Sequence, residues 1–569
     1  MPAIAFSAPS NAMPQKPVYT RFPVLSVPYA FLSAGQIRSR DERLSRLYLA
    51  AQAFSERPEM WEGLFQLACL IRCHPAEEAV YSCIMDAIRE TEDGSFSGTI
   101  DLQICTARAA LSVFEYNTDR KILKRLSQWF RYLEISWEEV SSHAGFLIQP
   151  ADLMELLVRF YQISGVKSAL RICSRLRSSS FDWTTSLHTF QQSIPVSGYD
   201  PNTFRSLLSR PLSEIDYNEK QTMINHAVLL ADGFRYSLYA GLFSGNRQDL
   251  SAGETAWHYL KKHHSAVCGG TSSDPLLCGC GSDKAVSTMA LAAWAEAFAS
   301  QMCLERSEWA ACELIRILFN GLSDCLNRST LPSGQYVNTL NAVPGSSDDP
   351  ALLYARMTRS VAAAYHHAVT VRADGSFRIN YLLPAKMLLM VQKQPVVLLL
   401  DENGAAFQTK SPFTSSVEVL LPAAETADLY LFCDQDRADL LSVGRDTGRS
   451  QTVVSVDRQW NDQDGFRFVQ GDRIFCEPAH HKGICVFVRN RLMALNVRDR
   501  RYQFAASAPP EISGGKTVLS LRSVGHWSLN GDLPADIPVL PSLSGDPVLG
   551  ILTPYDETPA RITVFPAGK

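Results

Sequence analysis

Between Cys268 and Asp283 the chain reads CGGTSSDPLLCGCGSD, which sets three cysteines and two aspartates in one glycine-rich loop. Cys278-x-Cys280, with Cys268 ten residues upstream, offers thiolates to a zinc ion. A Cys-x-x-Cys pair and an evident fourth ligand are missing, so a pocket-lining loop without metal and a purely structural loop compete with that reading. Cys278 is also a candidate nucleophile, although nothing near it in sequence would lower a thiol pKa. Further on, Asp348 and Asp349 adjoin and precede Pro350. One carboxyl kept protonated beside one kept ionised does acid–base chemistry. The plainer reading makes Asp349 a helix N-cap with Pro350 at the first helical position, and the two roles are compatible. His226 lies on an apolar helical face, where an imidazole either packs or faces a pocket. The pairs His263/His264, His366/His367 and His480/His481 are neighbours whose side chains point about 100° apart on a helix, which suits no shared metal. Phosphate-loop, His-Glu-x-x-His, Gly-x-Ser-x-Gly and dinucleotide fingerprints are absent.

The elements that must position these residues fall into two textures. From about Asp41 to His367 apolar residues recur every three or four positions, in about twelve helical segments from ERLSRLYLAAQAF to DPALLYARMTRSVAAAYHH. One of them, EKQTMINHAVLLADGFRYSLYAGLFS, reads as a single long helix. Twelve helices in hairpin order suit a closed double ring of six inner and six outer helices, an (α/α)6 barrel. An open solenoid would show a motif at fixed period, and none is visible. After Ala368 short β-branched and aromatic segments alternate with Asp, Gly, Asn and Pro clusters, the pattern of an antiparallel β-sandwich. We therefore expect a disordered leader over residues 1–20, a barrel over 21–367, a sandwich over 368–505, and a C-terminal β segment over 506–569 packing on either.

A net charge of −4 over 569 residues leaves no basic surplus for a phosphate backbone, which argues against nucleic acid as partner. The most apolar stretch, KMLLMVQKQPVVLLL, carries two lysines and a proline and is too short to span a bilayer. The N-terminus has no basic region ahead of an apolar one, so it does not read as a secretory signal. The fourteen cysteines then read as reduced thiols in the cytoplasm.

In their order along the chain, several segments resemble glycoside hydrolase family 127, the β-L-arabinofuranosidase-like proteins. INHAVLLADGFRYSLYAGLFSGN resembles the family's Gly-His-Ala-Val-Arg helix, with His226 at the histidine. HHSAVCGGTSS resembles its Thr-Gly-Gly loop, and ACELIRILFNGLSDCLNRSTLPSGQYVNTLN its Glu-Arg-x-x-(Tyr/Phe)-Asn-Gly…Tyr-x-Asn stretch, covering Glu313, Asn320, Gly321, Tyr336 and Asn338. RQWNDQDGFRF, HKGICVFVRNRLMAL and ILTPYDETPARITVFP are similar to its sandwich and C-terminal motifs. The resemblance implies a helical barrel followed by a β-sandwich, acting on carbohydrate. It also implies a zinc ion held by a glutamate and three cysteines, one of them the nucleophile, with a second glutamate as acid/base. Here those positions fall on Ser287, Thr288 and Met289, on or beside Asp348, Asp349 and Pro350, and near Leu277 or Cys278; the motif arginine is Leu229.

With the zinc-thiolate set gone, the expectation is a metal-free site without cofactor. A kept barrel mouth would set the loop of Asp274, Cys278, Cys280 and Asp283 opposite Asp348 and Asp349. Asp348, Asp349, Asp274 and Cys278 are then the catalytic candidates, for a glycosidic bond cleaved by two carboxyl groups. His226, Tyr336, Asn338, Cys280 and Asp283 are the candidates for holding a glycan. The alternative is a catalytically silent relative that binds a glycan or serves as a structural partner. A strand edge near the C-terminus leaves room for a homodimer.

Overall fold

The computed structural model describes residues 30–566, apart from 90, 143, 197–199, 274, 305–306, 340–348, 423–427, 434–436, 443–450, 470–473, 497–503, 525–536 and 538–542. Twelve helices build the ring of the first part, with shorter ones such as Trp183–His188, Pro201–Leu208 and Tyr217–Ile224 between them: α1 Glu42–Ala51, α2 Pro58–Ile71, α3 His74–Ala87, α4 Ile100–Asn117, α5 Arg120–Ile135 and α6 Ala151–Ser164. The second six are α7 Lys167–Ser179, α8 Ala227–Ser244, α9 Arg247–His263, α10 Thr288–Gln301, α11 Glu308–Arg316 and α12 Pro350–His367. Their starts are written in capping chemistry. Asp41, Asp119, Asn246, Ser287 and Asp349 each accept a backbone N–H of the first turn that has no intrahelical partner.

The even-numbered helices pack in the cyclic order α2–α4–α6–α8–α10–α12 and back to α2, so the inner ring closes. Odd-numbered helices lie outside it, each against an inner neighbour. The sequence explains the division: α8 and α10 are buried almost all round, whereas α5 and α7 have one buried stripe. Closure depends on one missing side chain. A Cβ on Gly63 of α2 would lie 2.1 Å from Thr358 Oγ1 and 2.9 Å from the Arg359 nitrogen of α12. Two local readings of the sequence change. The segment expected as one helix is broken at Asn225–His226, where His226 bridges Leu276 in extended form and becomes the N-cap of α8. The helix after α11 passes through a π-helical turn, Ile317–Gly321, which aims the Asn320 amide at the Asn490 carbonyl and the Leu492 N–H.

Beyond α12 the chain turns to strands, beginning at Val369–Val371. A five-stranded and a seven-stranded sheet hold the strands from Val369 to Val469. They also recruit the chain's start: Ala30–Phe31 pairs with Val369–Val371, and Ile37–Ser39 with Ala385–Val391. A nine-stranded sheet takes Ile474–Pro478, Ile484–Val488 and Arg491–Asn496 together with the C-terminal strands. The sequence reading placed those three strands in the sandwich span; Ile484–Val488 is in register with Val564–Phe565, and Arg491–Asn496 with Leu543–Pro554 and Arg561–Ile562. This third sheet is bound to the barrel by Arg316–Glu477 (2.6 Å), by Arg561–Asp324 (2.9 Å) and by the Asn320 and Asn338 amides.

Candidate functional site

Within the inner ring the residues that are not buried follow a rule. Along residues 151–160 of α6 only Asp152 escapes burial; along 227–242 of α8, only Val228; along all of α10, only Met289. Glu59 on α2, Cys105 on α4 and Leu352 on α12 are likewise accessible. Residues three, four or seven apart share a helix face. Glu59 therefore sits above Glu62, Cys105 above Arg108, Asp152 above Glu155, Val228 above Asp232 and Arg235, Met289 above Glu296, and Leu352 above Arg356 and Arg359. These six accessible positions thus share the inward face, near the N-terminal ends of parallel helices. They surround one end of the ring's interior, its mouth.

Below the mouth the hollow is crossed by a continuous lattice of ion pairs, with at least one member from every inner helix. Asp152 Oδ1 accepts from Arg108 (2.9 Å) and Arg235 (2.7 Å), and its Oδ2 accepts from Arg359 (3.2 Å). Arg108 continues to Glu62 (2.7 Å) and Glu155 (3.3 Å). Arg235, 1% exposed, also holds Glu155, Asp232 (3.1 Å) and Glu296 (3.2 Å). Arg356 joins Asp232 and Glu296, and Arg359 joins Glu296 (3.2 Å). At the far end Arg159 pairs with Glu155 (3.2 Å) and Glu115 (2.7 Å). Desolvated charges are tolerated only when paired in this way, so the lattice fixes the geometry of the ring more than it stabilises it.

The electrostatics follow from these contacts. Burial raises the Asp152 carboxyl, but Arg108, Arg359 and Arg235 overcome it and hold the group well below the usual carboxylate range. Burial raises Glu155 too, and Arg108, Arg235 and Arg159 bring it down. Glu115 goes the other way, because desolvation exceeds the help from Arg159. The mouth carboxylate is therefore ionised, and the carboxyl that is raised lies on the last turn of α4, remote from the mouth. None of these lattice residues was singled out from sequence. The available signal was a charge at three- or four-residue spacing on otherwise apolar helices, as in Asp152/Glu155/Arg159, Asp232/Arg235 and Arg356/Arg359.

The residues that sequence did single out are scattered. Asp349 caps α12 through the Leu352 N–H (3.2 Å) and pairs with Arg57 (3.2 Å), which also holds Glu59 (3.0 Å), all at the rim. Asp274 and Asp348 lie outside the described residues. His226 is buried, its ring stacked on Phe204 at 4.5 Å, and desolvation lowers its pKa to about 4 against the pull of Asp232. Its bridge to Leu276 draws the 273–278 loop against the start of α8. The Cys278 thiol faces the Ala285 carbonyl (3.9 Å). Cys280 is turned to the Lys262 carbonyl at the end of α9 (3.7 Å), where burial raises its pKa, and Asp283 pairs with Lys284 (2.8 Å). Tyr336 offers its carbonyl to Arg561 (3.0 Å). Asn338, wholly buried, donates to the Val564 carbonyl and accepts from the Thr563 and Val564 nitrogens; its amide anchors a strand, which corrects its expected role as a glycan contact.

The positions at which the family resemblance implied zinc do not suit that ion. Ser287 Oγ caps α10 by accepting from Ala290, the Thr288 hydroxyl is buried against the Cys325 thiol at 3.5 Å, and Met289 faces the mouth. Among the described residues no three His, Cys, Asp or Glu side chains converge as a metal site would need.

Comparison with solved structures names this fold of a closed ring of helix hairpins followed by antiparallel sheets. The chain is similar to a glycoside hydrolase at 13% identity and TM-score 0.68, over 95% of this chain and 98% of that one. It is similar to a GH127 β-L-arabinofuranosidase from Geobacillus stearothermophilus T6 at 13% identity and TM-score 0.64, over 93% and 94%. It is also similar to a further GH127 β-arabinofuranosidase at 11% and 0.63, over 95% and 98%. The fold is that of the GH127 enzymes, strongly diverged in sequence. No family model and no curated protein matches the chain. No described helix is long and apolar enough to cross a membrane.

Proposed function

We propose that this protein binds a carbohydrate in the mouth of its helical ring and does not hydrolyse it. One observation carries the reading: the partly exposed carboxylate that reaches into the hollow, Asp152, is clamped by three arginines. A glycosidase needs one carboxyl that stays protonated to deliver a proton to the leaving oxygen. A carboxylate under three guanidinium groups is a poor proton donor but a strong acceptor for sugar hydroxyls. Glu59 and Asp349 share Arg57 at the rim. Support for carbohydrate as the ligand class comes from the GH127 neighbours, whose names describe arabinofuranosidases. Ser287, Thr288 and Met289 supply no metal ligand for the thiolate route, which favours a metal-free site. A cytoplasmic setting goes with this reading, since fourteen cysteines suit a reducing compartment.

The test is a panel of aryl furanosides and pyranosides, assayed for turnover with and without chelator and for binding by saturation-transfer NMR. Binding without turnover is expected. Turnover insensitive to chelator would overturn the silent reading in favour of carboxyl catalysis involving Asp274 or Asp348. Chelator-sensitive turnover would restore a metal.

A further inference from the structure

Around the ring the six mouth positions are not mixed. Glu59, Cys105 and Asp152 come from the consecutive inner helices α2, α4 and α6, and Val228, Met289 and Leu352 from the consecutive inner helices α8, α10 and α12. One half of the mouth is therefore carboxylate and thiol, with the Arg359 guanidinium reaching Asp152 from below. The other half is three unlike aliphatic side chains. Leu352 is 43% exposed, and Met289 and Val228 are the accessible members of helices otherwise buried over their first ten residues or more. Apolar side chains are left accessible at the starts of α8 and α10, directly above a charged layer. A sugar carries hydroxyls around its edge and only narrow C–H faces, so it matches three aliphatic side chains less well than an apolar group does. Water there is held by polar groups on one side only, and its release favours an apolar occupant.

We infer that the mouth takes an amphipathic glycoside, whose sugar lies against Asp152, Glu59 and Arg359 and whose apolar aglycone lies against Val228, Met289 and Leu352. The inference rests on the carbohydrate-binding reading above and adds what is attached to the sugar. Complementarity across the mouth specifies this occupant: Asp152, Glu59 and Arg359 accept and donate hydrogen bonds, and the side chains of Val228, Met289 and Leu352 provide none. Met289 suits the task, since an unbranched thioether moulds itself to a planar ring.

The experiment measures affinities by titration calorimetry for matched methyl and phenyl glycosides of arabinofuranose, xylopyranose and galactopyranose, with the full chain. The phenyl member of the bound pair is expected to bind at least about tenfold more tightly, the effect of adding a ring-sized apolar surface to a contact that excludes water. Met289→Gln and Leu352→Asn are each expected to reduce that ratio to below about threefold. Leu352 is exposed enough that its replacement leaves the fold intact, which circular dichroism checks. Equal affinity for methyl and phenyl members overturns the amphipathic site and leaves carbohydrate binding standing. Absence of binding by every pair overturns both readings. A phenyl preference that survives both substitutions also overturns this placement of the aglycone.

Discussion

Arg235 and Asp152 meet at 2.7 Å inside the helical ring, one from α8 and the other from the first turn of α6, and the same guanidinium holds three more carboxylates. Arg235 is thus the hub of the lattice. Replacing it by methionine keeps an unbranched apolar stem and removes the charge, leaving Asp152, Glu155, Asp232 and Glu296 with less compensation in a desolvated space. Breaking a buried ion pair from one side costs about 3–5 kcal/mol. R235M is expected to lose at least that much in urea unfolding. Arg171→Met is the control, because Arg171 is 58% exposed in its pair with Glu134 and an exposed pair contributes about 1 kcal/mol or less. Equal effects from the two variants would deny the lattice its structural role.

Acid sensitivity follows from buried imidazoles, three of which are strongly shifted. Burial lowers His366 to about 3, with His367 and Arg159 adding to the effect. Burial also lowers His367 and His226 to about 4, with smaller opposing contributions. A histidine whose folded pKa lies below its unfolded value of 6.5 contributes nothing above that value. As pH falls below 6.5 the unfolded chain takes up protons first, and stability declines until the folded pKa is reached. Each imidazole should therefore cost roughly 2 kcal/mol between pH 7 and pH 5. Asp152 and Glu155, shifted downward, add their loss only below about pH 4. Chemical denaturation across pH 4–7 should show the first limb, and H366N should flatten it by about a third. An unchanged slope in that variant would assign the limb to other groups.

The helical ring and the all-β remainder were legible because they rest on local periodicity: twelve apolar stripes of period 3.6 and a change to short β-branched runs after Ala368. What eluded the sequence has one physical source, which is pairing between residues far apart in the chain. Nothing local in Ala30–Phe31 says that it pairs with Val369–Val371, or in Arg491–Asn496 that it pairs with Leu543–Pro554 and not with the sandwich. The break at His226 was hidden because the apolar spacing runs through it, and a single bridge to Leu276 decides the matter. At the site, attention went to loops rich in Cys and Asp, while the hollow is furnished by charges such as Asp152 and Arg356, which in sequence look like the solvated face of an ordinary helix.

Asn338 was read as a glycan contact and is a fastener. Its side chain holds the backbone of Thr563 and Val564 by three hydrogen bonds, at a wholly buried position. Asn338→Ala leaves two N–H groups and one carbonyl without partners. At about 1–3 kcal/mol for each stranded buried group, partly offset by water entering the gap, a loss of about 2–4 kcal/mol is expected. Hydrogen exchange should locate it, with protection falling first in Val564–Phe565 and Ile484–Val488, which pair, and not in the inner helices. Uniform loss of protection across the chain would show that the third sheet and the ring unfold as one unit.

The closure of the ring offers the sharpest steric test. At Gly63 a single added methyl would sit 2.1 Å from Thr358 Oγ1 and 2.7 Å from its Cβ, with the Arg359 backbone nitrogen at 2.9 Å. The obstacle is partly backbone, so no rotation of Thr358 clears it, and α2 and α12 must move apart. Alanine favours a helix over glycine by up to about 1 kcal/mol, and at an uncrowded position it would stabilise α2. Overpacking here opposes that gain with a cost of about 1–3 kcal/mol or more. Gly63→Ala is therefore expected to lower stability in spite of its better propensity, and, by displacing α12, to loosen the contact that Arg359 makes across the ring with Asp152 of α6. Thermal unfolding gives the sign: a Tm equal to or above that of the parent would mean that α2 and α12 are not held at this distance, and that the ring does not close there.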